Sequence, residues 1–340
     1  MSTLQGNRGQ PGPSPQRTAE AVPRLRTLGV VVVTHNSEAV IGACLDSLRQ
    51  ADAEIVVVDN ASADGTRREV SRRAEITLFA NPWNRGFAAA VNQGIDALDC
   101  PYVLLLNPDT ELLGGIGALV EACGEAGVAG AGGKLVDQSG RPQSGFMVRR
   151  FPSAASLSLE ALGVNRLWPG NPVNRRYRCA DLDPEAPAQV DQPAAAFLLV
   201  KREVWRRLGG FDEAFAPLWF EDVDFCRRAA AEGLRMRFVP GAVAKHSGGH
   251  SARQLPPAAR ELYWYGTLLL YAAKHFRRSA LAVVCAAVVL GSVLRSVWGI
   301  FRWWSLNPVS IYGRVIRLAG LHLILGRGGG RSLSPALAGR

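Results

Sequence analysis

Runs of apolar, β-branched residues alternate, over the first third of the chain, with segments whose apolar positions recur every three or four residues. Residues 28–33 form an unbroken apolar run, the mark of a strand covered on both faces. Ser37 then stands where a helix cap is needed, and Val40, Ile41, Cys44, Leu45 and Leu48 fall on one helical face. A second buried strand is predicted over residues 55–58, ending at Asp59-Asn60, and a third over 76–79. Between them, Ser62-Ala-Asp-Gly-Thr66 reads as a loop that opens a helix. Residues 86–98 read as an Ala-rich helix, and 102–106 as a fourth buried strand ending at Asn107-Pro108-Asp109. This alternation predicts an α/β fold: a mostly parallel sheet with helices on both faces.

The pattern weakens over residues 145–190, which are rich in Pro, Arg and Asn and read as a long excursion over one side of the sheet. Regular structure returns at 194–201. Near the end, 279–294 carries no charge and is flanked by Arg277, Arg278 and Arg295. At sixteen residues it is short for a membrane span, which needs about 20. Trp298, Phe301, Trp303 and Trp304 follow, then a further apolar stretch over 315–325. Three readings are open: an interfacial amphipathic segment, a shallow re-entrant hairpin, or a C-terminal helix packed on the domain. The first two predict sedimentation with membranes, and release of a soluble protein by truncation after about Phe276.

Charge sharpens this picture. The net charge of +10 resides wholly from Lys274 onward, where there are ten Lys/Arg and no Asp or Glu; the preceding 273 residues balance 29 basic against 29 acidic groups. A neutral body with a basic tail argues against nucleic-acid binding and for a membrane-facing terminus. The six cysteines show no CxxC pair, so neither a zinc site nor a disulfide framework is expected, and a reducing compartment fits. Residues 1–27 are polar, without an apolar h-region, and read as a disordered leader rather than a signal peptide.

In sheets of this kind ligands bind beyond the carboxyl ends of the strands. Polar clusters stand at three such ends: Thr34-His35-Asn36, Asp59-Asn60 and Asn107-Pro108-Asp109. Asp59 serves either as a turn or cap aspartate or as an acceptor for a base N–H or a ribose hydroxyl. Asp109 is either part of an Asn-Pro-Asp turn or a carboxylate for a divalent cation, whose hard charge prefers oxygen ligands. In Trp219-Phe-Glu-Asp-Val-Asp-Phe225, Glu221 and Asp222 open a helix. They read as simple caps or as a general base held ionised at a helix N-terminus. The aromatics Phe215, Trp219 and Phe220 just before them suit the C–H faces of a sugar. His246 follows the apolar run 238–244 and is either inert or the completion of a metal or pyrophosphate site.

Taken in order, Val31-Val-Val-Thr-His-Asn36, Val58-Asp-Asn-Ala-Ser62, Asn84-Arg-Gly-Phe-Ala88 with Asn92, Asn107-Pro-Asp109, Gly209-Gly-Phe-Asp212, Glu221-Asp222 and His246 resemble the inverting family 2 glycosyltransferases of the GT-A fold. Within that family the chain looks most like bacterial rhamnosyltransferases acting on polyprenyl-diphosphate-linked N-acetylglucosamine (GlcNAc). The resemblance spans roughly residues 28–275. It implies a nucleotide-binding half over 28–133 and an acceptor-binding half over 134–275; the apolar, basic composition beyond them reads as membrane-associating helices over 276–326 and a flexible tail over 327–340.

The resemblance further implies that Thr34, Asn36, Asp59, Asn60, Asn84, Arg85, Gly86, Asn92 and Asn107 hold the nucleotide-sugar donor. Phe215, Trp219 and Phe220 would meet the acceptor, and Asp109 with His246 would serve a Mg²⁺ or Mn²⁺ ion. Asp222 would be the general base, with Glu221 beside it. The implied activity is a hexosyltransferase of the EC 2.4 class at the cytoplasmic face of the plasma membrane, moving L-rhamnose from dTDP-rhamnose onto a polyprenyl-diphosphate-linked GlcNAc. A UDP-hexose or galactofuranosyl donor and a catalytically inactive homologue are the alternatives. A nucleotidyltransferase is disfavoured, since the first strand lacks a Gly-rich, Lys-containing phosphate loop. Two positions depart from the family pattern: Asn107 replaces an aspartate of the metal motif, and Ala194-Ala195-Ala196 replaces a Gly-containing stretch.

Overall fold

The computed structural model describes residues 26–325. Apart from Arg26 and Thr27, the expected leader lies outside the described residues, as does the expected tail over 327–340.

In chain order the elements are β1 (Leu28–Thr34), α1 (Glu38–Ser47), β2 (Glu54–Asp59), α2 (Thr66–Ser71), β3 (Thr77–Ala80), α3 (Phe87–Asp96), β4 (Tyr102–Leu106), β5 (Thr110–Gly114), α4 (Ile116–Gly124) and β6 (Val128–Val136). The expected excursion carries β7 (Val148–Arg149), α5 (Ala154–Ala161), α6 (Val164–Leu167), α7 (Pro172–Tyr177) and β8 (Ala188–Val190). There follow β9 (Gln192–Pro193), β10 (Phe197–Lys201), α8 (Arg202–Leu208), a 3₁₀ turn at Glu213–Phe215, α9 (Glu221–Ala231) and β11 (Arg235–His246). The chain then turns helical with α10 (His250–Gln254), α11 (Pro257–His275), α12 (Arg278–Trp303) and α13 (Asn307–Leu325).

Nine strands form the main sheet in the order β3-β2-β1-β4-β10-β6-β11-β5, with β8 added on β11. The strands β1 to β4 run parallel, as their βα alternation requires. The sheet as a whole is mixed: β10 runs antiparallel between β4 and β6, and β5 and β8 run antiparallel to β11. The apolar runs alternate faces. Val30 and Val32 enter one core with α1, whereas Val31 and Val33 enter the other with α3. Helix α3 lies so close that a Cβ on Gly94 would stand 2.6 Å from Val31 Cγ1.

A third core joins the last three helices to the rest: Leu157 of α5, Phe215, Phe220 and Val223 pack with α11, α12 and α13. The uncharged run of sixteen residues is thus part of a 26-residue helix. Both α12 and α13 are long and apolar enough, by length and composition, to cross a membrane. One side of α12 is spent on the protein core, through Leu281, Val284, Cys285 and Val288, while Leu290, Leu294, Trp298 and Phe301 are exposed. Truncation after Phe276 would also remove the side chains of α12 and α13 that pack on α5 and α11.

Candidate functional site

Strand register brings His246 to Asp109. Asn107-Pro108-Asp109 leads directly into β5, whose Thr110 pairs with His246 at the end of the antiparallel β11. The Ser247 N–H donates to the Asp109 carbonyl at 3.0 Å, and His246 Nε2 stands 3.6 Å from Asp109 Oδ1. Both side chains are buried. Gln143 Nε2 donates to the His246 carbonyl at 2.8 Å, which turns its Oε1 to the ring, where Nδ1–H donates at 2.8 Å. The Nε2 lone pair of the neutral imidazole is thereby aimed at the carboxylate. Burial pushes His246 below the ordinary imidazole value, against the pull of Asp109. Two electron-rich atoms facing each other favour a cation between them, so the donor set fits a divalent metal. Among the described residues no cluster of three or more His, Cys, Asp or Glu exists. The remaining coordination would come from ligand oxygens and water.

The second acidic pair is set by α9. Its approach is unusual: Trp219 and Phe220 both have φ in the left-handed region, 79° and 70°. Such residues cost about 1–3 kcal/mol each and persist where packing over-determines them. Here Trp264 of α11 meets both rings, and Phe220 also packs on Tyr271. Asp222 Oδ2 accepts from the Gln192 amide at 3.0 Å and the Ala195 N–H at 3.2 Å, and Oδ1 accepts from its own helix at Val223. Ala194–Ala196 in turn lie alongside the Asn107–Asp109 loop, with the Asn107 N–H donating to the Ala196 carbonyl at 3.1 Å. The alanine stretch thus ties one acidic site to the other.

The sequence argument held Asp222 ionised through the helix N-terminus. The balance runs the other way, because burial outweighs the backbone donors and raises its carboxyl above the ordinary value. Burial, reinforced by Asp222, also raises Glu221 well above the ordinary value, and its Oε2 has no hydrogen-bond partner among the described residues.

One cavity of about 430 Å³ is lined by Asp109, His246, Glu221 and Asp222 together. Of the residues expected at the donor, Thr34, Asn36, Asn60, Asn84 and Asn107 line it; Asp59, Arg85, Gly86 and Asn92 do not. Thr34 Oγ1 is buried without a partner among the described residues, a polar atom left for a ligand. Asp59 is occupied instead by Arg67 Nε at 2.6 Å and by the N–H and hydroxyl of Ser62. Asn92 clamps α3 to the loop after α8, its amide donating to the Phe211 carbonyl and accepting from the Phe211 N–H. Gly86, at φ 85°, turns the chain into α3, and its carbonyl accepts from Asn60. Arg85 lends its N–H to the Asn60 side chain. Of the expected acceptor aromatics, Trp219 and Phe220 reach the cavity. Phe215 is fully buried beneath the Lys274 ammonium, facing the third core rather than a ligand.

Sequence reasoning missed Phe146, Arg149, Tyr177 and Gln192, which the excursion delivers to the same cavity, and Trp264 of α11. A two-residue strand, β7, carries too little periodicity to be found in the sequence.

The family model described as glycosyl transferase family 2 matches residues 29–179. The N-acetylglucosaminyl-diphospho-decaprenol L-rhamnosyltransferase of Mycobacterium tuberculosis is 31% identical over 268 residues, covering 73% of this chain and 85% of that protein. The pre-mycofactocin glycosyltransferase of the same organism is 27% identical over 305 residues, 87% of this chain and 58% of that protein. Among solved structures, GalNAc-T7 with UDP, GalNAc and Mn²⁺ superposes with a TM-score of 0.50 at 16% identity, over 74% of this chain and 51% of that one, a likeness of fold.

Proposed function

Since this chain belongs to glycosyl transferase family 2 and is a GT-A glycosyltransferase related to bacterial rhamnosyltransferases acting on polyprenol-linked sugars, we propose that it transfers L-rhamnose from a dTDP donor onto a polyprenyl-diphosphate-linked GlcNAc with inversion. The observation that carries the reading is the meeting of Asp109–His246 and Glu221–Asp222 in one cavity, joined through Ala194–Ala196.

In this reading Asp222 takes the proton of the acceptor hydroxyl as its oxygen forms a bond to the anomeric carbon. The bond from that carbon to the donor diphosphate breaks, and the nucleoside diphosphate departs with the electron pair. A Mg²⁺ or Mn²⁺ ion held by Asp109 and His246 would supply charge neutralisation at that diphosphate. Thr34, Asn36, Asn60, Asn84 and Asn107 line the donor side, and Trp219 and Phe220 the acceptor side. Asp59, Arg85, Gly86 and Asn92 act through the shape of the donor loops. Glu221, which burial and the neighbouring Asp222 raise above the carboxylate range, stands beside Asp222, the base. Residues 28–275 would house this chemistry, and α12 with α13 would hold it to the cytoplasmic face of the plasma membrane.

A screen of dTDP- and UDP-sugars against a short polyprenyl-diphosphate-GlcNAc, scored by product mass, tests it. A rhamnose adduct is expected; transfer only from UDP-hexoses would overturn the donor assignment.

A further inference from the structure

We propose that Arg149 forms a second phosphate subsite, distinct from the Asp109–His246 end of the cavity, that grips the diphosphate of a lipid-linked acceptor. Arg149 and Gln192 are register partners in the two-stranded β7–β9 ribbon. Gln192 donates to Asp222, and the Arg149 charge counteracts the rise of that carboxyl. The ribbon therefore sets a fixed cation beside the base.

The guanidinium is held rather than loose. Its Nε donates to the Gly145 carbonyl at 2.9 Å, and its carbon lies 5.9 Å from the Phe146 ring centre and 5.8 Å from that of Tyr177. Among the described residues it makes no ion pair, although it lines the cavity. A half-buried guanidinium without a carboxylate, with its terminal nitrogens free of protein partners among the described residues, suits the bidentate geometry of a phosphate.

Phe146 separates this cation from the metal end: its ring stacks on His246 at 5.0 Å and meets Arg149 on the way to Tyr177. Two diphosphates entering one cavity need two sources of positive charge. The Asp109–His246 pair provides for one through a cation, and Arg149 provides for the other. The inference rests on the lipid-linked acceptor of the proposed function, but it is tested without sugar transfer.

Full-length protein is first saturated with a nucleoside diphosphate and Mn²⁺, which fills the donor end, and farnesyl diphosphate is then titrated by calorimetry. The parent is expected to bind it; Arg149→Gln weakens that binding by about ten- to a hundredfold and leaves nucleoside diphosphate affinity in place, which also reports a folded variant. Arg149→Lys keeps the charge without the fork and loses less, a second measure should the Gln variant fail to fold. Unchanged farnesyl diphosphate affinity in both variants overturns the proposal. So does an equal loss of nucleoside diphosphate affinity in folded protein, which would assign Arg149 to the donor. Arg149-dependent binding with no transfer to diphosphate-linked GlcNAc would sink the acceptor assignment and leave the subsite standing.

Discussion

His246 Nε2 and Asp109 Oδ1 face each other at 3.6 Å with the imidazole proton committed to Gln143 on the far side of the ring. Replacing His246 by Ala is expected to raise the Mn²⁺ or Mg²⁺ concentration for half-maximal transfer by about 10–100-fold. Gln143→Ala, which frees the tautomer, should raise it by a smaller factor. A metal titration of initial rates checks both; an unaltered titration in the His246 variant would remove the ring from the site.

Asp222→Asn removes the proposed base without changing shape. Transfer should fall by about 10²–10⁴-fold while nucleoside diphosphate affinity holds. In the parent enzyme, the base must be ionised to work, and burial raises its pKa. Activity is therefore lost as pH falls, at a pH above the ordinary aspartate range. A kcat/KM profile with its acidic limb at or below that range would contradict this assignment.

Asp224, one turn along α9, is fully buried and answers Arg228 at 2.8 Å, Lys274 at 2.8 Å and His275 at 2.7 Å. These partners outweigh burial and hold its carboxyl down at about 2, from an ordinary 3.8. A depressed carboxyl contributes its stability in full above the unfolded value and loses it as pH falls through the folded one. The contribution is about 2 kcal/mol, complete above about pH 5 and fading towards pH 2. Asp224→Asn should cost about 3–5 kcal/mol at neutral pH. Its deficit against the parent, followed by denaturant unfolding, should shrink towards pH 3.

The exposed face of α12 and the basic groups Arg302, Arg314 and Arg317 predict adsorption to anionic vesicles. Each Arg→Gln change should weaken adsorption by about fivefold at low salt, and Trp298→Glu with Phe301→Glu should abolish it while donor binding persists. Sedimentation with anionic and zwitterionic vesicles measures this. Equal binding to both, insensitive to the three arginines, would refute a surface attraction.

The parallel half of the sheet was legible because its strands are buried on both faces: residues 28–33, 55–58 and 102–106 read as solid apolar runs. Asp109, Asp222 and His246 were found as isolated polar positions at element ends, but only register and the Ala195 N–H show that they share a cavity. Asp59 and Asn92 belong to readable motifs, yet no pattern announces that Asp59 turns to Arg67 on the next helix or that Asn92 meets Phe211 from far along the chain. Phe215 misled for a related reason: an aromatic beside the acidic helix looks the same in sequence whether it faces a ligand or the third core. The antiparallel direction of β10 was equally hidden, since an apolar run carries no arrow.

Lys274 and His275, the last residues of α11, clasp the carboxylate two positions after the base, and α12 starts three residues beyond. In the proposed reading, any height that α12 and α13 took at a lipid surface would be transmitted to α9 as by a rigid bracket. The cleft's elevation above the headgroups would then be a built-in gauge, with the length of the carrier's polar head, rather than a side chain in the pocket alone, deciding which glycan could reach Asp222.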